Sequence, residues 1–231
     1  MNTRPNNPNL APLIQIVAKL KPLLDRIAFV GGCVTGLLVS DPAAASVRPT
    51  VDVDAIIEIA SYEQFRELEN ELSLLGFRNE AALICRWFTG ELILDLMPID
   101  PSILGFSNPW YGPAFKNAQT TEIGEYTIRV ITAPYFLATK LEAFRGRGRQ
   151  DFRMSHDVED IITVIDGRPE VVEEISRSET GLRQYLGRES RNLLASSEFR
   201  DALPGHLLPD AASQQRISIV LKRIQRIIDA G

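Results

Sequence analysis

The sequence predicts an α/β fold, with a small mixed β-sheet core followed by a C-terminal helical region. Three observations carry this. Over the first 132 residues, short apolar or β-branched runs at 27–30, 51–59, 82–88 and 91–97 surround one strongly amphipathic stretch at 61–75. Beyond Pro134 those runs stop, and apolar residues recur almost entirely at helical spacing. The length, 231 residues at 45% hydrophobic and 24% charged, suits one large globular domain or two small ones. The implied organisation is a flexible tail over 1–9, a core over 10–132 and a helical domain over 133–231.

The elements follow in order. Leu13, Ile16, Val17, Leu20, Leu23 and Leu24 keep helical spacing and predict a helix over 10–26, with Pro22 dividing or kinking it. Residues 27–30 (IAFV) read as a buried strand stopped by Gly31 and Gly32, and a helix begins within 33–40. The run 41–50 is loop, and 51–59 (VDVDAIIEI) is a strand by its β-branched content. Ser61 with Gln64 three residues on is a capping-box signature for the helix 61–75, whose buried stripe is Phe65, Leu68, Leu72 and Leu75. Thr89-Gly90 marks a hairpin between the strands 82–88 and 91–97. Pro, Gly and Asn dominate 98–124, which reads mostly as loop, and 126–131 is a further strand. Helices are expected at 134–145, 157–167, 169–178, 180–196 and 212–229, the last with a basic, solvated outer face.

Composition excludes several classes. The formal net charge of -5 leaves no global basic field, so a nucleic-acid partner needs a local patch. Two cysteines and two histidines at these spacings cannot build a four-ligand zinc site. The two thiols read as buried groups in a reducing compartment. The polar N-terminus lacks the apolar core of a secretion signal. No apolar stretch approaches the ~20 residues that span a bilayer. No membrane partner and a cytoplasmic location are therefore the expectation.

The chemistry points to carboxylates. Asp52 and Asp54 stand two apart on a predicted strand, so both project to one face while Val51, Val53 and Ala55 project to the other. Two solvated acids on an exposed strand face are one reading. The other is a divalent cation that relieves their repulsion, since magnesium takes one or two carboxylates plus phosphate oxygens. Asp95 is flanked by apolar residues in 93–97, where a lone carboxylate is costly to bury. If its strand lies beside 51–59, Asp95 completes a three-carboxylate cluster; otherwise it pairs across the hairpin with an arginine such as Arg86. Gly31 and Gly32, ending a strand before a helix with Thr35 in its first turn, permit close approach of a phosphate or simply tight packing.

A strand ending in Gly-Gly, then an Asp-x-Asp strand, then a third Asp on a later strand resembles the core of polymerase-β-like nucleotidyltransferases. The local wording is closer still. Arg48-Pro49-Thr50-Val51-Asp52-Val53-Asp54 is similar to the R-x-T-x-D-x-D of AbiEii/MenT-type nucleotidyltransferases, known mostly as toxins of toxin–antitoxin pairs. Ala138-Thr139-Lys140-Leu141-Glu142-Ala143 is similar to that family's A-x-K-x-x-A helix, and the segment from His156 through Asp157 to Asp160 and Ile161 to its later D-x-x-D-I segment. These matches run in order across about residues 27–165.

The resemblance implies Mg²⁺, with Mn²⁺ as a substitute, held by Asp52, Asp54 and Asp95 on the triphosphate of an NTP. Asp95 either binds a second ion or takes the proton of the attacking hydroxyl. It implies that Gly31, Gly32 and Thr35 cradle phosphates, that Arg48 and Thr50 position the first carboxylate or the triphosphate, and that Asp157 faces the site. Lys140 is either a charge partner for the leaving pyrophosphate or a solvated helix lysine. Asp160 reads as structural, in an ion pair with an arginine. The acceptor is a tRNA or a small molecule, and an antitoxin protein is a candidate partner. The basic segment 140–153 carries Lys140, Arg145, Arg147, Arg149 and Arg153, with Phe144 and Phe152 interleaved. It is either an RNA-gripping patch or a solvated loop. An antibiotic-type small-molecule transferase and a non-catalytic nucleotide-binding relative are the other readings.

Overall fold

In a computed structural model describing residues 7–80, 84–105, 107–147 and 151–231, one mixed sheet organises the first half of the chain. Its strands are β1 (Ile27–Val30), β2 (Asp52–Ile57), β3 (Arg78–Asn79), β4 (Arg86–Thr89), β5 (Leu92–Pro98), β6 (Gln119–Ile123) and β7 (Tyr126–Val130). Their order across the sheet is β3-β4-β5-β2-β1-β7-β6. The most apolar run, β1, is buried at all four positions and sits between antiparallel β2 and parallel β7. β2 pairs in parallel with β5, and β4 and β5 form the expected hairpin, turning at Gly90 with its positive φ of 60°.

The chain forms two compact units. One comprises residues up to Gly36 with Arg48–Thr132; the other comprises Leu37–Val47 with Ala133–Gly231. In the first, α1 (Leu10–Lys19) packs its Leu13, Ile16 and Val17 stripe into the core. Pro22 does divide the predicted 10–26 helix. A 3-10 turn over Lys21–Arg26 replaces its second part, because proline cannot donate to the ladder. The four-residue α2 (Thr35–Leu38) follows a 3-10 turn at Gly32–Val34. On α3 (Tyr62–Leu74) the Ser61 hydroxyl accepts the Gln64 N–H at 3.2 Å, and the Gln64 side chain accepts the Ala60 N–H at 2.7 Å. Leu68 and Leu72 are buried as expected, whereas Leu75 lies past the last turn. Val51 is exposed, against the expectation that it faces the core, because β2 pairing begins only at Asp52.

The stretch 98–124 holds more structure than its composition suggests. It contains α4 (Pro101–Leu104), α5 (Tyr111–Lys116) and the edge strand β6. β6 is polar at four of its five positions and buries only Ile123, so its strand character comes from pairing with β7. The first residues of the predicted 82–88 strand lie outside the described residues.

The second unit is helical: α6 (Ala133–Gly146), α7 (His156–Gly167), α8 (Val171–Ser176), α9 (Thr180–Ala195), α10 (Ser197–Ala202), α11 (Ala211–Gln215) and α12 (Ile217–Ala230). α6 packs on α7, α8 and α9, and α12 on α7, α8 and α9. The predicted 212–229 helix is broken at Arg216. The Arg216 guanidinium donates to both Asp166 carboxylate oxygens, at 2.8 and 2.9 Å, and to Asp41 at 2.6 Å, while Arg223 donates to the carbonyls of Ile165 and Asp166. No helix among the described residues is long and apolar enough to cross a membrane.

Candidate functional site

The site-bearing elements of the first unit are β2, β5, β4 and the glycine turn after β1. Val53 and Ala55 are buried under the sheet, so alternation sends Asp52 and Asp54 together to the opposite face. In the β2–β5 register Asp54 lies beside Asp95, and in the β4–β5 register Asp95 lies opposite Arg86. Directly paired residues share a face, so all four side chains gather there. Arg86 holds Asp95 with a two-pronged bond, Nε to Oδ1 at 2.7 Å and Nη2 to Oδ2 at 2.6 Å. Nη2 also donates to Asp52 Oδ2 at 3.0 Å. The two arrangements open to Asp95 in the sequence therefore coexist: it stands in the carboxylate group and pairs with Arg86.

The electrostatics are lopsided. The hydrogen bond to Asp95 is the largest influence holding the Arg86 guanidinium charged, and it outweighs partial burial. Three carboxylates against one guanidinium still leave a formal excess of negative charge. A neighbouring thiol senses it. Burial first, then the Asp95 charge, push Cys85 up from its ordinary range.

Gly31 decides where Asp54 can be. Its φ of 69° is one that side-chain-bearing residues rarely adopt, and a Cβ built there falls 2.1 Å from Asp54 Oδ2. The Asp54 carboxylate occupies the space that the missing side chain leaves. Replacing Gly31 with alanine is expected to cost about 1–3 kcal/mol of backbone strain. It also expels the carboxylate from the space beside the turn. Thermal melts of Gly31→Ala check the cost, and a melting temperature equal to wild type contradicts this account of the glycine.

The loop before β2 is fastened by a residue that the sequence places in the terminal tail. Asn9 is buried, and its Nδ2 donates to the carbonyls of Gly32 at 3.3 Å and Arg48 at 3.0 Å. Its Oδ1 accepts the Thr50 N–H at 2.9 Å. Thr50, so held, donates its hydroxyl to Asp52 Oδ1 at 2.8 Å. Arg48 turns Nη1 onto the Pro49 carbonyl at 3.0 Å. Thr35 is buried, and its hydroxyl has no hydrogen-bond partner among the described residues. At four residues, α2 is too short to build the macrodipole of a long helix. A lone asparagine in a polar segment carries no sequence signal, which is why Asn9 escapes a reading by motif.

The donor chemistry suits one hard cation. Among the described residues no three His, Cys, Asp or Glu side chains converge as a metal cage. Asp52 and Asp54 do offer carboxylate oxygens side by side on one face. Magnesium commonly takes one or two carboxylates and completes its shell with phosphate oxygens and water. Both Asp95 oxygens already accept from Arg86, so the third carboxylate is engaged elsewhere.

The remaining predicted residues lie in the helical unit. Lys140 is only 12% exposed, which removes the solvated-lysine reading; its Nζ lies 3.2 Å from Asp157 and 2.7 Å from Asp160. Asp160 lies in an ion pair with Lys140, where an arginine was the expected partner. Arg147 reaches the second Asp157 oxygen at 2.9 Å. The 140–153 segment is not a row of free cations: Arg145 pairs with Glu142 and Glu189. Phe144 packs on Phe152 with ring centroids 4.9 Å apart, and Phe152 edges onto Phe199 at 5.8 Å, so half-buried Phe152 is engaged by two buried rings. Arg149 lies outside the described residues.

Neither a protein-family model nor a curated protein sequence matches the chain. A solved structure does. The fold is similar to the crystal structure of an antigenic nucleotidyltransferase-like protein from Paracoccidioides brasiliensis, with a TM-score of 0.51 and 18% sequence identity. The match covers 86% of this chain and 94% of that one. The architecture is thus a nucleotidyltransferase-like α/β fold carrying C-terminal helices.

Proposed function

We propose that the chain is a metal-dependent nucleotidyltransferase that moves NMP from an NTP to an acceptor hydroxyl and releases pyrophosphate. One observation carries the reading. Asp52 and Asp54 on β2 and Asp95 on β5 share one sheet face beside the Gly31 turn, on a nucleotidyltransferase-like fold. Asp52 and Asp54 are the residues to hold a divalent cation, and Thr50 and Gly31 fix their carboxylates. When bound, Mg²⁺ or Mn²⁺ would offset the charge of the triphosphate and of the departing pyrophosphate. The acceptor oxygen forms a bond to the α-phosphorus as the bridge to the β-phosphate breaks. Pyrophosphate leaves with the bonding electrons, and the hydroxyl proton passes to a carboxylate of the site or to water.

The AbiEii/MenT-like wording of 48–54 and 138–143 favours a toxin acting on tRNA, neutralised by an antitoxin. An antibiotic-type transferase would share the metal site and differ in its acceptor. A non-catalytic relative is the second reading, favoured by Arg86 already pairing with two of the three carboxylates. Incubation with Mg²⁺ and each α-labelled NTP, against total tRNA and against a panel of aminoglycosides, separates the three. Label on tRNA supports the toxin reading, and label on a small molecule the antibiotic-type one. No transfer with any NTP supports the non-catalytic relative.

A further inference from the structure

The Arg86 guanidinium is anchored on one edge only. Nε and Nη2 are committed to Asp95 and Asp52. Nη1 makes no hydrogen bond among the described residues, although the side chain keeps 29% of its surface exposed. Guanidinium is planar and rigid, so fixing one edge fixes where the other points, unlike a lysine ammonium on a flexible stem. The committed edge bridges Asp95 and Asp52, where a cation shared by those two carboxylates would sit. The charge is permanent, since the carboxylates only strengthen it.

We propose that Arg86 stands in place of a second metal ion. On this account the site takes a single divalent cation on Asp52 and Asp54, and the free Nη1 edge of Arg86 grips a polyphosphate oxygen. Asp95 is then a positioning residue that holds the guanidinium in register. Loading a second ion requires breaking three charge-assisted hydrogen bonds and placing a divalent charge against a fixed monovalent one. This inference rests on the nucleotide-site reading above and specifies the composition of that site.

Equilibrium dialysis against Mn²⁺ and tripolyphosphate, counting both on the protein, tests it without need of an acceptor or a preferred base. The wild-type chain is expected to hold one Mn²⁺ and one tripolyphosphate. Arg86→Gln removes the charge and leaves a shorter polar amide; it is expected to admit a second Mn²⁺ and to weaken tripolyphosphate binding about tenfold or more, the effect of losing a charge-assisted bond. Arg86→Lys keeps the charge, so one Mn²⁺ is expected again. Two Mn²⁺ on the wild type overturn the proposal, and this readout needs no variant to fold. One Mn²⁺ on both wild type and Arg86→Gln, with tripolyphosphate binding unchanged, overturns it equally. If the wild type binds neither Mn²⁺ nor tripolyphosphate, the nucleotide-site reading itself fails, and the inference with it.

Discussion

Asp54→Ala is expected to lower nucleotidyl transfer by about 1,000-fold or more, the several kcal/mol of charge stabilisation that a metal site supplies. The melting temperature should stay within a few degrees of wild type. Asp54 sits on the open face of β2, its backbone pairing with Val30 and Asp95 is untouched, and truncation opens space beside Gly31 rather than filling it. Loss of transfer with the fold intact separates a chemical role from a structural one. A folded variant that transfers normally removes Asp54 from the proposed metal site.

Lys140→Met should act in the opposite manner, through stability. Asp157 and Asp160 are 2% and 3% exposed, and Lys140 is their shared counter-ion. Without it Asp160 loses its lysine ion pair, and among the described residues the ion pair left to Asp157 is that with Arg147, which is 71% exposed. Breaking a buried pair by removing one partner costs about 3–5 kcal/mol. For a chain of this size that lowers the melting temperature by roughly 10 °C. Adding Asp157→Asn and Asp160→Asn to Lys140→Met removes the stranded charges and is expected to recover most of the loss. A Lys140→Met protein that melts within 2 °C (about 1 kcal/mol or less) of wild type contradicts this account of the cluster.

Much of this was legible before any coordinates. The buried run 27–30, the alternation at 52–55, the Thr89-Gly90 hairpin and the Ser61–Gln64 cap are local signals, and local physics decides them. The change of character near residue 133 is compositional, and the helical unit begins there, although it also recruits Leu37–Val47 from the first half of the chain. What escaped is what depends on distant partners. β6 is a strand because β7 lies beside it. Arg216, where the predicted helix breaks, bonds to Asp166 and Asp41, 50 and 175 residues away. Asn9 matters because the 48–50 loop closes over it. Within the site, the i, i+2 spacing showed that Asp52 and Asp54 share a face, but only the β2–β5 register could bring Asp95 to them. The sequence named Arg86 as a rival to the carboxylate cluster, whereas the folded chain holds both at once.

On the proposed reading, this carboxylate face directs attack to the α-phosphorus of an NTP. The most direct test follows two labels in parallel reactions with Mg²⁺, one on the α-phosphate and one on the γ-phosphate. The α label is expected to become fixed to the acceptor while the γ label leaves in pyrophosphate. A γ label that moves to the acceptor, or an α label that stays wholly on free nucleotide with every acceptor tried, contradicts it.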